Sequence, residues 1–329
     1  MLRQAVLLVP STEAALARVA GLPLVRRNVL ALARAGVTRV HVASDDVAVR
    51  AAVADLSVDE AAPDGPALEV PCDRIFFGDG DLPSCRTPDE RRAAERRLFA
   101  GLRKPVDGPV SRWINRYLSL AVTRLLLDTE ISPNQMTVVA TIIGVAGVAA
   151  VFSATWTGVA VGAVLVQLQS ILDGCDGEIA RLKFQASAFG AWLDNVLDDL
   201  VNAAFGLALG VASAELLGQP IWRWLGIFAA GAFAVYYAVV YAQLHFVHRT
   251  GNPFAFRWWF QKTADLGSEL GGSSVVGALR SLARRDVFLL AFMVLALARL
   301  PQVAVAWYAL LGAAYLGLSL VHLAKGGLR

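Results

Sequence analysis

The chain is poor in charge, cysteine and histidine. Charged residues make up 17% of its 329 positions, against about 25% in soluble domains. No Asp, Glu, Lys or Arg occurs from 131 to 172. An uncharged run of that length excludes an ordinary water-soluble domain there and accommodates two membrane-crossing helices of about 20 residues each. The three cysteines, Cys72, Cys85 and Cys175, have no metal-ligand spacing. That rules out a disulfide scaffold or a zinc module and leaves packing or free thiols. His245 and His248 likewise have no partner ligand pattern. A net charge of +3 is too small to imply a nucleic-acid partner. The opening apolar run is cut by Pro10 and Glu13 and is too short for a secretory leader.

What is present is hydrophobic. Apolar residues reach 56%, and the mean hydropathy is +0.54. The uncharged runs predict six helices, at about 132–154, 157–183, 187–214, 222–248, 285–299 and 302–325. With a cytoplasmic N-terminus, the outer connections carry Arg223 and Arg299 only. The inner segments carry Arg181, Lys183, Arg249, Arg257, Lys262, Arg280, Arg284, Arg285, Lys325 and Arg329. Ten against two places both termini on the cytoplasmic face of an inner membrane.

Residues 1–100 read differently. Val-rich runs at 5–9 and 39–43 flank an amphipathic stretch at 23–35 that stops at Gly36, a βαβ pattern. A helix at 47–56, strands at 67–70 and 74–78 and a charged helix at 90–102 are expected next. Asp79 and Asp81 read as a solvated turn. Residues 101–130 form a linker. From Ser111 the linker is amphipathic: Ile114, Tyr117, Leu118, Ala121 and Leu125 share one face, as in a helix lying in the membrane interface. The expected domains are thus 1–100, a small α/β unit; 101–130, linker and interfacial helix; and 131–329, six membrane helices.

The acids of the apolar half are grouped as Asp173-x2-Asp176-Gly177-x2-Ala180-Arg181-x8-Gly190-x3-Asp194-x3-Asp198. Asp173 and Asp176 are spaced i, i+3; Asp194 and Asp198 are spaced i, i+4. Each pair therefore shares a helix face. Carboxylates at membrane depth are costly and mark function. Gly177 and Gly190 remove side chains beside them, so a backbone or a ligand can approach. Two facing helix ends would offer four carboxylates to hard divalent cations, which take oxygen ligands and bind phosphates. The competing reading is structural ion pairing. Only Arg181 and Lys183 are near in sequence, and Asp199 adds another acid, so the local charge balance favours metal.

These fixed positions resemble, without departure, the signature of the CDP-alcohol phosphotransferase family, and the resemblance runs from about residue 103 to the end. It implies two Mg²⁺ or Mn²⁺ ions, a CDP-linked donor (CDP-diacylglycerol or a CDP-polyol), attack by an acceptor hydroxyl on the β-phosphate, release of CMP, contact with membrane lipids and a homodimer. By motif position Asp173, Asp176 and Asp194 are metal ligands, and Asp198 is a ligand or the general base. Gly177, Ala180 and Gly190 line the cytidine pocket, and Arg181 meets donor phosphate. Ser132-Pro133-Asn134-x-x-Thr137 resembles the family's entry into its first helix, with Ser132 as N-cap, Pro133 in the first helical position and Asn134 near the donor. The segment from Arg103 to Arg116 resembles the one before the first span in inositol-phosphate transferases that carry a fused nucleotidyltransferase.

The acceptor, a phosphorylated polyol such as inositol phosphate, would meet His248, Arg249, Arg257, Lys262, Arg284 and Arg285. Paired arginines can grip a phosphate. Residues 1–45 resemble the start of a sugar-phosphate nucleotidyltransferase. The stretch from Pro10 to Arg18, however, has no glycine to expose amides to phosphate, and Glu13 would repel it. The front domain is therefore expected to be degenerate. The competing readings are a bifunctional protein whose front domain makes the CDP donor, and a cation transporter. A transporter would need acids near mid-membrane on several spans, whereas these gather at one end of two.

Overall fold

The computed structural model of the chain describes residues 3–78, 81–103, 107–249, 255–259 and 281–327, and the chain divides into two compact units. The first comprises Met1–Lys104, Thr123–Glu130 and Glu178–Gln185. Its elements are β1 (Gln4–Leu8), α1 (Thr12–Leu16), the short antiparallel pair β2 (Arg18–Val19) and β3 (Leu22–Pro23), α2 (Leu24–Arg34), β4 (Arg39–Ala43), α3 (Val47–Ala51), β5 (Leu68–Pro71) and α4 (Pro88–Ala100). The sheet is parallel with order β4-β1-β5; Ala5 pairs with Val40 on one side and Leu68 on the other. Burial alternates along β1 and β4, where Ala5, Leu7, Val40 and Val42 join the core with Val25, Val29 and Leu32 of α2. Gly36 stops α2 at φ +89°, a conformation open to a residue without Cβ.

The expected strand at 74–78 is a loop. Asn28 holds it from α2 by donating to the Arg74 carbonyl at 2.8 Å and accepting from the Phe76 amide at 2.9 Å. Side-chain bonds therefore take the place of a ladder. The expected helix at 47–56 is cut back to α3. After β1 the chain makes a helical turn in which Ser11 Oγ takes the Ala14 amide at 3.2 Å, leaving no glycine-built cradle there. Burial pushes the Cys72 and Cys85 thiols up to about 12 and about 11. Both are neutral near pH 7 and unreactive.

The second unit comprises Pro105–Val122, Ile131–Gly177 and Ala186–Arg329. A π-helical turn at Ser111–Asn115 leads into α5 (Arg116–Leu126). Then come α6 (Pro133–Phe152), α7 (Trp156–Leu182), α8 (Ala188–Leu217), α9 (Ile221–Ala242, continued by a π turn to Val247), α10 (Arg285–Leu297) and α11 (Pro301–Ala324). Among the described residues five helices, α6 to α9 and α11, are long and apolar enough to cross a membrane. The fifth expected span, 285–299, is the 13-residue α10, about 20 Å of helix against a hydrocarbon core of about 30 Å. It ends where Arg299 turns left-handed at φ +59° and Pro301 starts the next helix.

Apolar and polar sides are inverted relative to a soluble protein. Trp113 is 71% and Leu125 80% exposed, while Ser119 and Thr123 are buried. Val138, Ile142, Val161 and Leu310 face outward, while Gln167, Gln169 and Asn202 are buried. This is the pattern of helices solvated by lipid. Inside, α8 and α9 touch through glycine: a Cβ on Gly210 would lie 2.7 Å from the Gly226 Cα. Phe233 stacks on Tyr308 at 4.4 Å between α9 and α11.

Candidate active site

Helix α6 starts as its sequence predicts. Ser132 caps it in a reciprocal box with Gln135, and Pro133 occupies the first turn. That start sets Asn134 beside α8: a Cβ on Gly190 would lie 2.7 Å from Asn134 Oδ1. One turn on, Thr137 donates to Asp176.

Asp173 on α7 meets Asp194 and Asp198 on α8. One carboxylate oxygen from each lies within 4.8 Å of the others. Asp176, which accepts from Thr137, reaches the trio through a side-chain hydrogen bond with Asp194. Asp198 accepts from Gln169 Nε2 at 2.5 Å through one oxygen, and its other oxygen pairs with Arg285. Arg285 also lies 3.6 Å from Asp173. The neighbouring Asp199 turns away and accepts from Tyr241 at 2.6 Å.

Two observations test whether the site suits a cation and an anion together. Asp194 Oδ1 is buried with no hydrogen-bond partner, and so are Nε and one terminal nitrogen of Arg285. Buried polar atoms left unpaired are costly. Three convergent carboxylates with an unused oxygen fit a hard divalent cation, and unused guanidinium donors beside them fit a phosphate.

Residues 130–315, more than half of the chain, match the family model for CDP-alcohol phosphatidyltransferase. The chain belongs to the CDP-alcohol phosphatidyltransferase family. It is 36% identical over 144 residues to a bifunctional IPC transferase and DIPP synthase of Thermococcus kodakarensis, covering 44% of this chain and 32% of that one. A protein of the same description from Aquifex aeolicus is 36% identical over 168 residues, 49% of this chain and 36% of its own. An archaetidylinositol phosphate synthase of Pyrococcus horikoshii is 27% identical over 149 residues, 45% of this chain and 69% of its own. The matches thus span about a third of the length of the bifunctional relatives.

The remaining expected residues are spread out. Gly177 and Ala180 lie half-buried along the end of α7. Arg181 and Lys183 are the two cations nearest the motif in sequence. Lys183 donates to the Thr129 carbonyl at 2.7 Å, and Arg181 lines a cavity of the first unit. His248 and Arg249 are exposed after α9. Arg257 is clasped by Gln243, which bonds its amide and its carbonyl at 3.1 Å each. Arg284 lies 3.6 Å from Asp286, whose carboxylate accepts the Ser111 amide at 2.8 Å. Lys262 and Asp79 lie outside the described residues.

Sequence reasoning missed Gln169, Tyr241 and a role for Thr137. The signal for Gln169 was available: it is an amide inside an uncharged run, one helical turn before Asp173. Its position is set by packing, since a Cβ on Gly144 of α6 would lie 3.0 Å from its Cγ.

Proposed function

We propose that this protein transfers a phosphoalcohol group from a CDP-linked donor to a hydroxyl of a phosphorylated polyol, an inositol phosphate, and releases CMP. The observation that carries the reading is the meeting of Asp173, Asp194 and Asp198 with a half-buried Arg285 that keeps two buried nitrogens unpaired. The names of the relatives, two IPC transferase and DIPP synthases and an archaetidylinositol phosphate synthase, support inositol phosphate as the acceptor.

In this mechanism Asp173, Asp176, Asp194 and Asp198 hold two Mg²⁺ or Mn²⁺ ions. When bound, such ions neutralise phosphoanhydride charge and help align the attacking oxygen. Gln169 fixes one oxygen of Asp198, and Asp198 takes the proton of the acceptor hydroxyl. That oxygen attacks the β-phosphorus, the anhydride bond breaks, and CMP leaves with the bridging oxygen. Asn134, Gly177, Ala180 and Gly190 form the cytidine side, and small residues there leave room for the ring. Arg285 grips the acceptor phosphate, with Arg284, Arg249, Arg257 and His248 as outer cations. The domain turns the acidic end to the cytoplasm of an inner membrane, counts α10 as a sixth, partial span and works as a homodimer among membrane lipids.

The test uses the purified full chain with labelled CDP-diacylglycerol and CDP-inositol against a panel of polyol phosphates. CMP release should require both inositol phosphate and a divalent ion. Release that ignores EDTA or the acceptor would overturn the reading.

A second activity in the first unit has one observation in its favour. A cavity of about 480 Å³ opens at the C-terminal ends of the parallel strands, lined by Pro10, Ala43, Pro71, Asp73, Arg74 and Arg86 among others. Asp73 there is buried with one oxygen unpaired. Ligands of open α/β sheets gather at such strand ends. Pyrophosphate release from CTP and a polyol phosphate measures this activity separately. The glycine-free turn after β1 predicts none.

A further inference from the structure

We propose that Asp199, with Tyr237 and Tyr241, recognises the hydroxyl groups of the acceptor and so selects a polyol phosphate over a plainer phosphate. This rests on the transferase reading, in which Arg285 grips the acceptor phosphate, and it names what holds the rest of that molecule.

Asp199 is a fifth acid on α8, directly after Asp198. Consecutive side chains on a helix point about 100° apart, so Asp199 leaves the trio and meets α9 instead. Its carboxylate accepts from the Tyr241 hydroxyl at 2.6 Å. Tyr237 stands one turn earlier on the same face of α9 and reaches the same carboxylate. Arg285 acts on both Asp199 and Tyr237 as a neighbouring charge. The three side chains therefore border the arginine to which the phosphate is assigned. Each of them is half-buried, so protein leaves part of each uncovered.

A carboxylate on a membrane-spanning helix is costly and marks function. The transferase reading gives the four motif acids to metal, whereas Asp199 meets neutral phenols. Two phenolic donors use at most two of the about four acceptor positions of a carboxylate. The rest suit further O–H donors, and Tyr241, having given its proton to Asp199, still accepts through its oxygen. Neighbouring hydroxyls of a polyol match that pair of acceptors. Tyr236, in ring contact with Tyr237 at 5.4 Å and with Tyr315 of α11 at 4.6 Å, adds an aromatic wall. A few placed polar groups among aromatic rings are what a small-molecule site requires. Charge sets the orientation: Arg285 attracts the phosphate and Asp199 repels it, so the hydroxyl end turns to Asp199. A phosphate without hydroxyls satisfies the arginine alone, and a site built to bond a hydroxyl rejects analogues that lack it.

The competing role is a clasp between α8 and α9. Loss of a clasp lowers stability and leaves the preference among acceptors unmoved. Binding is therefore measured by calorimetry on the purified full chain, with inositol phosphate, glycerol phosphate and inorganic phosphate as probes. Inositol phosphate should bind at least tenfold more tightly than inorganic phosphate, with glycerol phosphate between them. Asp199→Asn and Tyr241→Phe should each weaken inositol phosphate by about tenfold. Neither should weaken inorganic phosphate, and Asp199→Asn should tighten it, because a repelling charge is gone. A wild-type chain without the preference, or variants that keep it while the thermal midpoint falls, would overturn the proposal. Equal weakening of all three probes would overturn it too. CMP release is followed in parallel. Release with the preference unmoved in both variants sinks this proposal alone, and a lost preference in a chain that never releases CMP sinks the transferase reading alone.

Discussion

Arg285 and Gln169 complete the acidic site from opposite sides of Asp198. The acids themselves are the first target. Asp173→Asn, Asp176→Asn and Asp194→Asn should each reduce transfer by on the order of 10²-fold or more, since small misplacements of reacting groups cost that much. CMP release by purified, folded variants at saturating Mg²⁺ is the measurement, and near-normal release from Asp176→Asn would remove it from the site. Arg285 and Arg284 differ in their surroundings. Arg285 has unpaired buried nitrogens among the acids, whereas Arg284 faces Asp286. Arg285→Ala should therefore raise the acceptor KM by roughly 10- to 150-fold, the equivalent of a charge-assisted bond of about 1.5–3 kcal/mol. Arg285→Lys should recover little, because a point charge lacks the fork, and Arg284→Ala should have the smaller effect. Gln169→Leu keeps the bulk near Gly144 but removes the donor to Asp198. A roughly tenfold fall in kcat with donor KM unchanged is expected; a change in KM alone would remove Gln169 from its positioning role.

Among the elements, α6 and α10 show how local chemistry sets limits. Ser132, Pro133 and Gln135 start α6 from sequence alone, because a cap needs only residues within four positions. The fifth predicted helix, 285–299, forms as α10 at Arg285–Leu297, closed by Arg299 and Pro301, and is the short one of the set. The contact of α8 with α9 depends instead on two glycines meeting across helices. Gly210→Val places branched carbon where the Gly226 backbone lies, and overpacking of this kind costs about 1–3 kcal/mol. A lowered thermal midpoint in detergent, with the far-UV helix signal retained at low temperature, is the expected result. An unchanged midpoint would show that the helices separate freely there.

For the whole molecule, the first unit is not confined to the first hundred residues. It takes in Thr123–Glu130 and Glu178–Gln185 as well. Arg27 bonds the Leu182 carbonyl, and a Cβ on Gly21 would meet the Leu127 carbonyl. Removal of residues 1–100 should therefore lower the thermal midpoint of the remaining chain, because those two segments lose their packing partners. Metal-dependent CMP release should persist at low temperature, since Asp173, Asp176, Asp194, Asp198 and Arg285 remain. Loss of release with the helices still folded would assign the front unit a direct part in transfer.

Period, caps and spacing are local quantities, and they determined much of this protein from the sequence alone: the apolar spans, the start of α6, the βαβ opening, and the two faces carrying Asp173 with Asp176 and Asp194 with Asp198. Partners for charge are not local. Lys183, near the acids in sequence, bonds the Thr129 carbonyl, whereas Arg285, which reaches the acids, stands 87 positions from Asp198. The grip of Thr137 on Asp176 and of Asn28 on the loop after β5 likewise joins residues 39 and 48 positions apart. Only the folded chain decides such pairings, because a buried charge or amide must find its partner among whatever side chains packing brings within about 3 Å.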